Sequence, residues 1–486
     1  MKTKPRPKGI DARTNPALLV AGRYATKEMI DIWGVEKTFE FILNSQVKAV
    51  ETISKLYPKV VARKQANQLK AKANLKSVRP ARIRAIEEKT GHDVIAINTA
   101  WGETVPREAA SHINKARTSA DSTETAKALQ IKQALEIMID SLENLRDIII
   151  EKAMEFDVPF MDTTHLYDAM PTMAGRPFMF YVEMLESDLQ VLNYFYRNSI
   201  KGKWADATGN HHSAVALGMD GMRLQENYCK SLGLGCMIAP AQVPGREFIS
   251  DIFYALARFG ETLRNLATYV AWGKSDDVDV FCDLNPTRRK GSSAMPHKDA
   301  KGGNPTIEER TKSLSNILRG YATSALSACA FPYARDLSAS ASDRIMLESA
   351  FKLSDCVIRD LANTVYWLGL KKQRSIDRIK RTFGIVTSSQ VAAYLTDRRT
   401  VKKPMSRKDA HDLMGQLATK AYGSKRNFFD VLAQEHEVTS RISYETLRKI
   451  TDPVRYIGQS REILRKVYKT CYKKKTLPFL VSRREP

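Results

Sequence analysis

The chain has no apolar run long enough to cross a bilayer, and its longest hydrophobic stretches are interrupted by charge. Residues 1–8 are basic but lack the apolar stretch of a signal peptide, so a cytoplasmic protein is expected. Cysteine is sparse. The six residues (Cys229, Cys236, Cys282, Cys329, Cys356 and Cys471) form no Cys-x-x-Cys pair and meet no histidine at zinc-ligand spacing. Reduced, partly buried thiols are expected rather than a metal site. Period-two alternation bounded by turn signals is scarce, and there is no internal repeat. No RNA-binding signature accompanies the charge and no aromatic ladder interleaves it, so nucleic acid is not the expected partner.

What is present is length, basic charge and helical periodicity. The 486 residues exceed one ordinary core, so two or three domains are expected. Hydrophobic content of 43% is that of a globular protein. The net charge of +23 recurs in residues 70–84, 371–381, 398–408 and 461–475. Such a surplus suits a polyanionic partner or a phosphorylated small substrate; a solvated basic surface accounts for it equally well.

Apolar residues spaced three and four apart mark long helices. The seams are Leu135, Met138, Leu142, Leu145 and Ile149; then Val182, Leu185, Leu189 and Leu192; then Ile252, Leu256, Phe259, Leu263, Leu266 and Val270. Further candidates span 306–328 and 342–368, with shorter patterns at 408–422 and 444–450. Long helices with narrow seams make bundles, so the fold is expected to be all-α around a central long-helix bundle. Polar character near 99–120 and a basic turn near 368–373 divide the chain into 1–117, 118–368 and 369–486.

One segment concentrates reactive groups on chain breakers. Gly291, Ser292, Ser293, Ala294, Met295, Pro296, His297 and Lys298 run on to Gly302, Gly303, Asn304 and Pro305. Gly and Pro exclude a helix interior or a central strand. A loop carrying a candidate nucleophile, base and cation is expected, of the kind that closes over a substrate.

This Gly-Ser-Ser-x-Met-Pro-x-Lys string, with Asn-Pro after it, resembles the signature loop of the fumarase/aspartase superfamily, and its variant is most similar to the adenylosuccinate lyase family. Other motifs stand in the family's order. Arg23 and Tyr24, ahead of Ile32 and Trp33, resemble the opening motif, whose Arg and Tyr contact the nucleotide phosphate; a bidentate, permanently charged guanidinium suits that anion. His92 and Asp93 match a His-Asp-Val motif. Thr118, Ser119 and Asp121 match a Thr-Ser-x-Asp motif for substrate carboxylate and hydroxyl groups, and the same residues are good N-cap chemistry. Thr164 and His165, followed by Pro171 and Thr172, resemble the motif whose His is the general acid. Gln242, with Arg246 downstream, corresponds to a carboxylate-binding Gln. Arg335, Ser340 and Arg344 resemble the nucleotide-binding Arg-Asp-x-Ser motif with its trailing Arg.

The resemblance implies a three-domain all-α fold and β-elimination of fumarate from a succinylated amine. The substrates would be adenylosuccinate and succinylaminoimidazole-carboxamide ribotide of purine biosynthesis. Ser292 would be the base, His165 the acid, and Lys298, Asn304 and Gln242 the carboxylate grip, with Glu309 orienting the acid. It also implies no metal or organic cofactor and a homotetramer sharing its sites between subunits. The alternatives are a related lyase for another succinyl or muconate-type substrate, and a catalytically weak structural or nucleic-acid-binding protein on the same fold. Three features depart from the family. Four extra residues separate Lys298 from Asn304, Asn114 stands where a His is usual (His112 lies nearby, off register), and the pair His211–His212 has no assigned counterpart.

Overall fold

The computed structural model describes residues 23–285, 292–300, 303–330 and 338–474. Five long helices carry it: Ser119–Glu155, Arg176–Asn198, Glu247–Lys274, Thr306–Ser327 and Ser340–Tyr366. They form where the seams require. Leu135, Met138, Leu142, Leu145 and Ile149 are fully buried, as are Ile252, Leu256, Phe259 and Leu263. Each such side chain contributes roughly 1.5–3 kcal/mol of burial. The first of these helices begins sixteen residues before the seam's first residue, Leu135. Its opening turns are polar but buried, with Asp121, Ser122 and Thr125 inside, so apolar spacing cannot mark them. The all-α expectation holds; the strands among the described residues are short.

Contacts gather the chain into two compact units, each made of three separate stretches. The first comprises residues 1–142, 187–261 and 313–358, the second 143–186, 262–312 and 359–486. The divisions fall inside the five long helices, whereas the boundaries expected from sequence follow chain order.

In the first unit, helices Val35–Leu56, Arg63–Lys72, Pro80–Thr90, Asp93–Gly102 and Gly221–Ser231 close over a core that includes Trp101, Trp204 and Tyr228. Arg117 is buried beside it. Its guanidinium donates to the Ser45 carbonyl (3.2 Å), the Ser45 Oγ (3.1 Å) and the Tyr228 hydroxyl (2.9 Å), and lies 4.9 Å from the Tyr228 ring centre. No carboxylate of the described residues pairs with it.

The second unit has an aromatic core of Phe156, Phe160, Phe178, Tyr269, Trp272 and Phe281. It closes on Gly273, where a Cβ would sit 2.0 Å from the Phe281 ring. Strands β1 (Pro159–Thr164) and β2 (Tyr167–Met173) leave this core as an antiparallel hairpin. A separate cluster, from Val391 to Ile450, fills the C-terminal helices.

Candidate active site

The predicted site residues fall into two groups, one in each unit.

In the first unit, Arg23 is exposed and Tyr24 half-buried, just ahead of helix Lys27–Ile32. Thr26 fixes their position. Its Oγ1 accepts from the Met29 amide and donates to Asp355 Oδ2 at 2.5 Å, while Asp355 Oδ1 accepts from Ser141 at 2.7 Å. Trp33 stacks on Phe351 at 5.4 Å.

His92 occupies the N-cap position of helix Asp93–Gly102. Its Nδ1 lies 3.2 Å from Asp93 Oδ1 and its Nε2 3.4 Å from Ser119 Oγ. The structure thus joins the His-Asp and Thr-Ser motifs, with Thr118 and Ser119 at the mouth of the 37-residue helix, where unpaired amides favour an anion. Asp121 of the same motif is fully buried. It accepts from the Thr118, Ala205 and Asp206 amides (2.9, 3.0 and 3.1 Å) and pairs with buried Lys203. With its acceptor sites so occupied, Asp121 is a structural tie. Asn114 and Ala116 precede it at φ 56° and 54°; Asn tolerates that left-handed region better than Ala. The neighbouring His112 imidazole has its pKa lowered, first by burial and then by Lys115.

Gln242 is half-buried in an irregular segment. Four residues on, buried Arg246 pairs with Glu124 at 3.2 Å and Asp343 at 2.8 Å, and Lys127 also reaches Asp343 at 3.2 Å. Asp343 lies in the first turn of helix Ser340–Tyr366 between Ser340 and exposed Arg344. This network ties the Gln242 segment to the Ser340–Arg344 turn. Burial alone would raise the Glu124 pKa; Lys127 and Arg246 overcome that and hold it below its ordinary value. Arg335 and Gly291 lie outside the described residues.

In the second unit, His165 and Leu166 are the two-residue turn of the hairpin, with Thr164 opposite Tyr167. Their φ values are 52° and 69°, so two L-residues adopt the left-handed pair that a tight hairpin turn demands. His165 is exposed at this tip. Three residues on, Asp168 is clamped from helix Lys372–Lys380 and the turn after it. Arg378 donates Nε and Nη2 to Oδ1 (3.0 and 2.7 Å), and Arg381 donates to Oδ2 (3.3 and 3.1 Å). Arg378 is itself buried, 5.1 Å from the Trp272 ring centre.

Ser292 Oγ accepts from the amides of Ala294 (3.3 Å) and Met295 (3.0 Å). Lys298 Nζ donates to Asn304 Oδ1 at 3.1 Å, so these two meet despite the extra residues between them. Gly303 makes the return. Its φ is 73°, and its amide donates to the Lys298 carbonyl at 2.8 Å. An open cleft of about 320 Å³ lies against this turn, lined by Lys274, Asp283, His297, Lys298, Asn304 and Glu308. Glu308 is buried and paired with Lys274 at 2.7 Å. Glu309, about 100° further round the helix, is exposed and is not in that lining. No hydrogen bond joins His165 to Ser292 among the described residues.

Sequence reasoning passed over Glu308, Asp168 and Asp343, although each stands in or beside a motif it used. The signal lay in their partners, Lys274, Arg378 and Arg246, which are distant in sequence.

A long-helix scaffold, a Ser-bearing loop with a Lys–Asn closure, and a His–Ser contact at a helix mouth fit a lyase of the fumarase/aspartase type. The chain belongs to the lyase family, whose model matches residues 22–318. Residues 384–467 match a second model, the adenylosuccinate lyase C-terminus. The adenylosuccinate lyase of Methanocaldococcus jannaschii is 28% identical over 455 residues, covering 93% of this chain and 96% of that protein. That of Methanothermobacter thermautotrophicus is 25% identical over 453 residues, covering 93% and 98%. Among solved structures, a fumarate lyase from Mesorhizobium sp. BNC1 superposes with a TM-score of 0.79 at 19% identity, covering 92% of this chain and 98% of that one. The 3-carboxy-cis,cis-muconate lactonizing enzyme from Pseudomonas putida gives 0.80 at 20%, covering 93% and 98%. At such identities the two structures establish the shared fold.

Proposed function

We propose that this lyase eliminates fumarate from adenylosuccinate, giving AMP, and from succinylaminoimidazole-carboxamide ribotide, both in purine biosynthesis. The observation that carries the reading is the match of residues 384–467 to the adenylosuccinate lyase C-terminus, on a chain that aligns with adenylosuccinate lyases along nearly its whole length.

Cleaving the C–N bond requires a proton removed from the carbon next to a carboxylate and another delivered to the departing nitrogen. Ser292 removes the first. A hydroxyl is a weak base, and the two amides on its Oγ favour the negative oxygen. Charge then builds on the neighbouring carboxylate, where a preorganised cation and amide lower the barrier. Lys298 and Asn304 fill that role, already held together, with Gln242 on the second carboxylate. His165 delivers the other proton, an imidazole being able both to hold and to release one, and Glu309 orients it. His92, Asp93, Thr118 and Ser119 hold substrate carboxylate and ribose groups. Arg23, Tyr24, Arg335, Ser340 and Arg344 hold the phosphate. The C–H bond breaks first; the C–N bond then breaks as the C=C bond of fumarate forms and the nitrogen takes its proton, and neither step needs a metal or organic cofactor.

The protein works in the cytoplasm as a homotetramer with sites built from several subunits, and its three functional segments are 1–117, 118–368 and 369–486. Large apolar side chains exposed on the long helices support the assembly, among them Phe180, Tyr194, Tyr254, Leu326 and Ile345. Mixing the purified protein with adenylosuccinate is expected to release fumarate, followed by ultraviolet absorbance. No change at micromolar enzyme overturns the proposal.

A further inference from the structure

The longest stretch of the chain without aspartate or glutamate is also strongly basic. Residues 52–86 contain ten lysines and arginines and no aspartate or glutamate. The stretch forms the end of helix Val35–Leu56, helix Arg63–Lys72, a short connection and the start of helix Pro80–Thr90. All ten cations are exposed. Three reach carboxylates outside the stretch: Lys70 to Glu51 (2.7 Å), Arg82 to Glu103 (2.6 Å) and Arg84 to Glu36 (3.3 Å). The other seven, Arg63, Lys64, Lys72, Lys76 and Arg79 among them, form no ion pair with another described residue.

These cations do not sit on a loose tail. Val61, Ala66, Leu69, Val78, Ile83 and Ile86 of the same stretch are buried in the first unit's core, so the backbone beneath the charges is fixed. Holding seven uncompensated like charges on one rigid lobe costs stability, and a polyanion relieves that repulsion. The nucleotide substrate, with one phosphate and two carboxylates, engages far fewer. An inserted membrane face needs exposed apolar anchors, and no large hydrophobic residue between Val35 and Ile95 is exposed. The absent aromatic ladder excludes base stacking, but binding along a phosphate backbone needs none.

We propose that the lobe of residues 55–79 is a docking surface for nucleic acid, gripped through its phosphodiester backbone without sequence preference. This stands apart from the lyase chemistry and involves none of its residues.

The test uses the full-length protein and fluorescence anisotropy with a labelled 20-nucleotide RNA, one homopolymer and one of mixed sequence. One variant combines Arg63→Gln, Lys64→Gln, Lys72→Gln, Lys76→Gln and Arg79→Gln. A control removes the same charge elsewhere, through Arg398→Gln, Lys402→Gln, Lys403→Gln, Arg407→Gln and Lys408→Gln. The lobe variant is expected to bind both RNAs at least about tenfold more weakly. Its slope of log affinity against log salt should flatten by up to ~3.5, at roughly 0.7 for each phosphate that a removed cation no longer neutralises. The control should change affinity less than about threefold, and an unchanged melting temperature in each variant reports an intact fold. Equal weakening in both variants assigns the binding to bulk charge and overturns the proposal. So does a wild type that binds no RNA in about 0.1 M salt, or a lobe that holds anionic phospholipid vesicles more tightly than RNA.

Discussion

A hydroxyl becomes a useful base only where its oxygen is already surrounded by donors, and Ser292 meets this condition with backbone alone. The two amides belong to its own turn, so the arrangement survives substitution of neighbouring side chains. Ser292→Ala is expected to reduce turnover about a thousandfold or more while calorimetry still detects adenylosuccinate binding. A variant that retains turnover removes Ser292 as the base. Residues of this kind were legible in the sequence because loop chemistry demands particular types in a fixed order: Gly, Ser, Pro and Lys are compressed between 291 and 298. Arg117 was not legible. It is one of 77 basic residues, and its burial depends on Ser45 and Tyr228, which lie 72 and 111 positions away. Glu308 was passed over for the same reason. Its neighbour Glu309 has the right spacing, but the pairing with Lys274 is made in three dimensions.

The hairpin β1–β2 carries the proposed acid, His165. Its tip carries His165 in a strained turn, and the Asp168 clamp from Arg378 and Arg381 fixes the strand just beyond. Asp168→Asn keeps the shape but removes the negative charge that both guanidinium groups face. It is expected to lower kcat about tenfold with little change in KM, because substrate grip lies elsewhere while acid placement loosens. Equal kcat values for Asp168→Asn and wild type would show that the clamp does not position His165. The network around Glu124 behaves differently, since it serves stability. Folding lowers the Glu124 pKa below its ordinary 4.5, so its contribution is present above that pH and is lost as pH falls through the lower folded-state value. Glu124→Gln should therefore cost about 3–5 kcal/mol in urea denaturation at pH 7, with the gap to wild type narrowing as pH falls below 4.5. A gap that does not depend on pH would mean that shape, not charge, accounts for the difference. The long helices could be read from spacing because apolar seams repeat over many turns. The hairpin could not, because His165 and Leu166 supply none of the Asn-Gly signal that normally marks such a turn.

At the scale of the molecule, the apolar side chains left exposed on the long helices set the expectation for assembly. Sedimentation should give a particle of about four times the 54.8 kDa chain. A stable monomer with full activity would contradict shared sites. Sequence reasoning divides a chain where composition changes, and here the compact units are cut across helices whose composition does not change.

That last feature constrains how such a protein can be altered. The chain passes between its two units five times, each time inside a helix. One inserted residue in Ser119–Glu155 or Glu247–Lys274 would rotate everything downstream by about 100°. Length can be added cheaply only where the chain is not helical. Gly303 to Pro305, between helices His297–Ala300 and Thr306–Ser327, is such a place: Gly303 has a positive φ, and Lys298 and Asn304 meet there. A library of insertions along the chain should find the same map: tolerated at turns like this one, and rejected wherever a crossing helix would lose its phase.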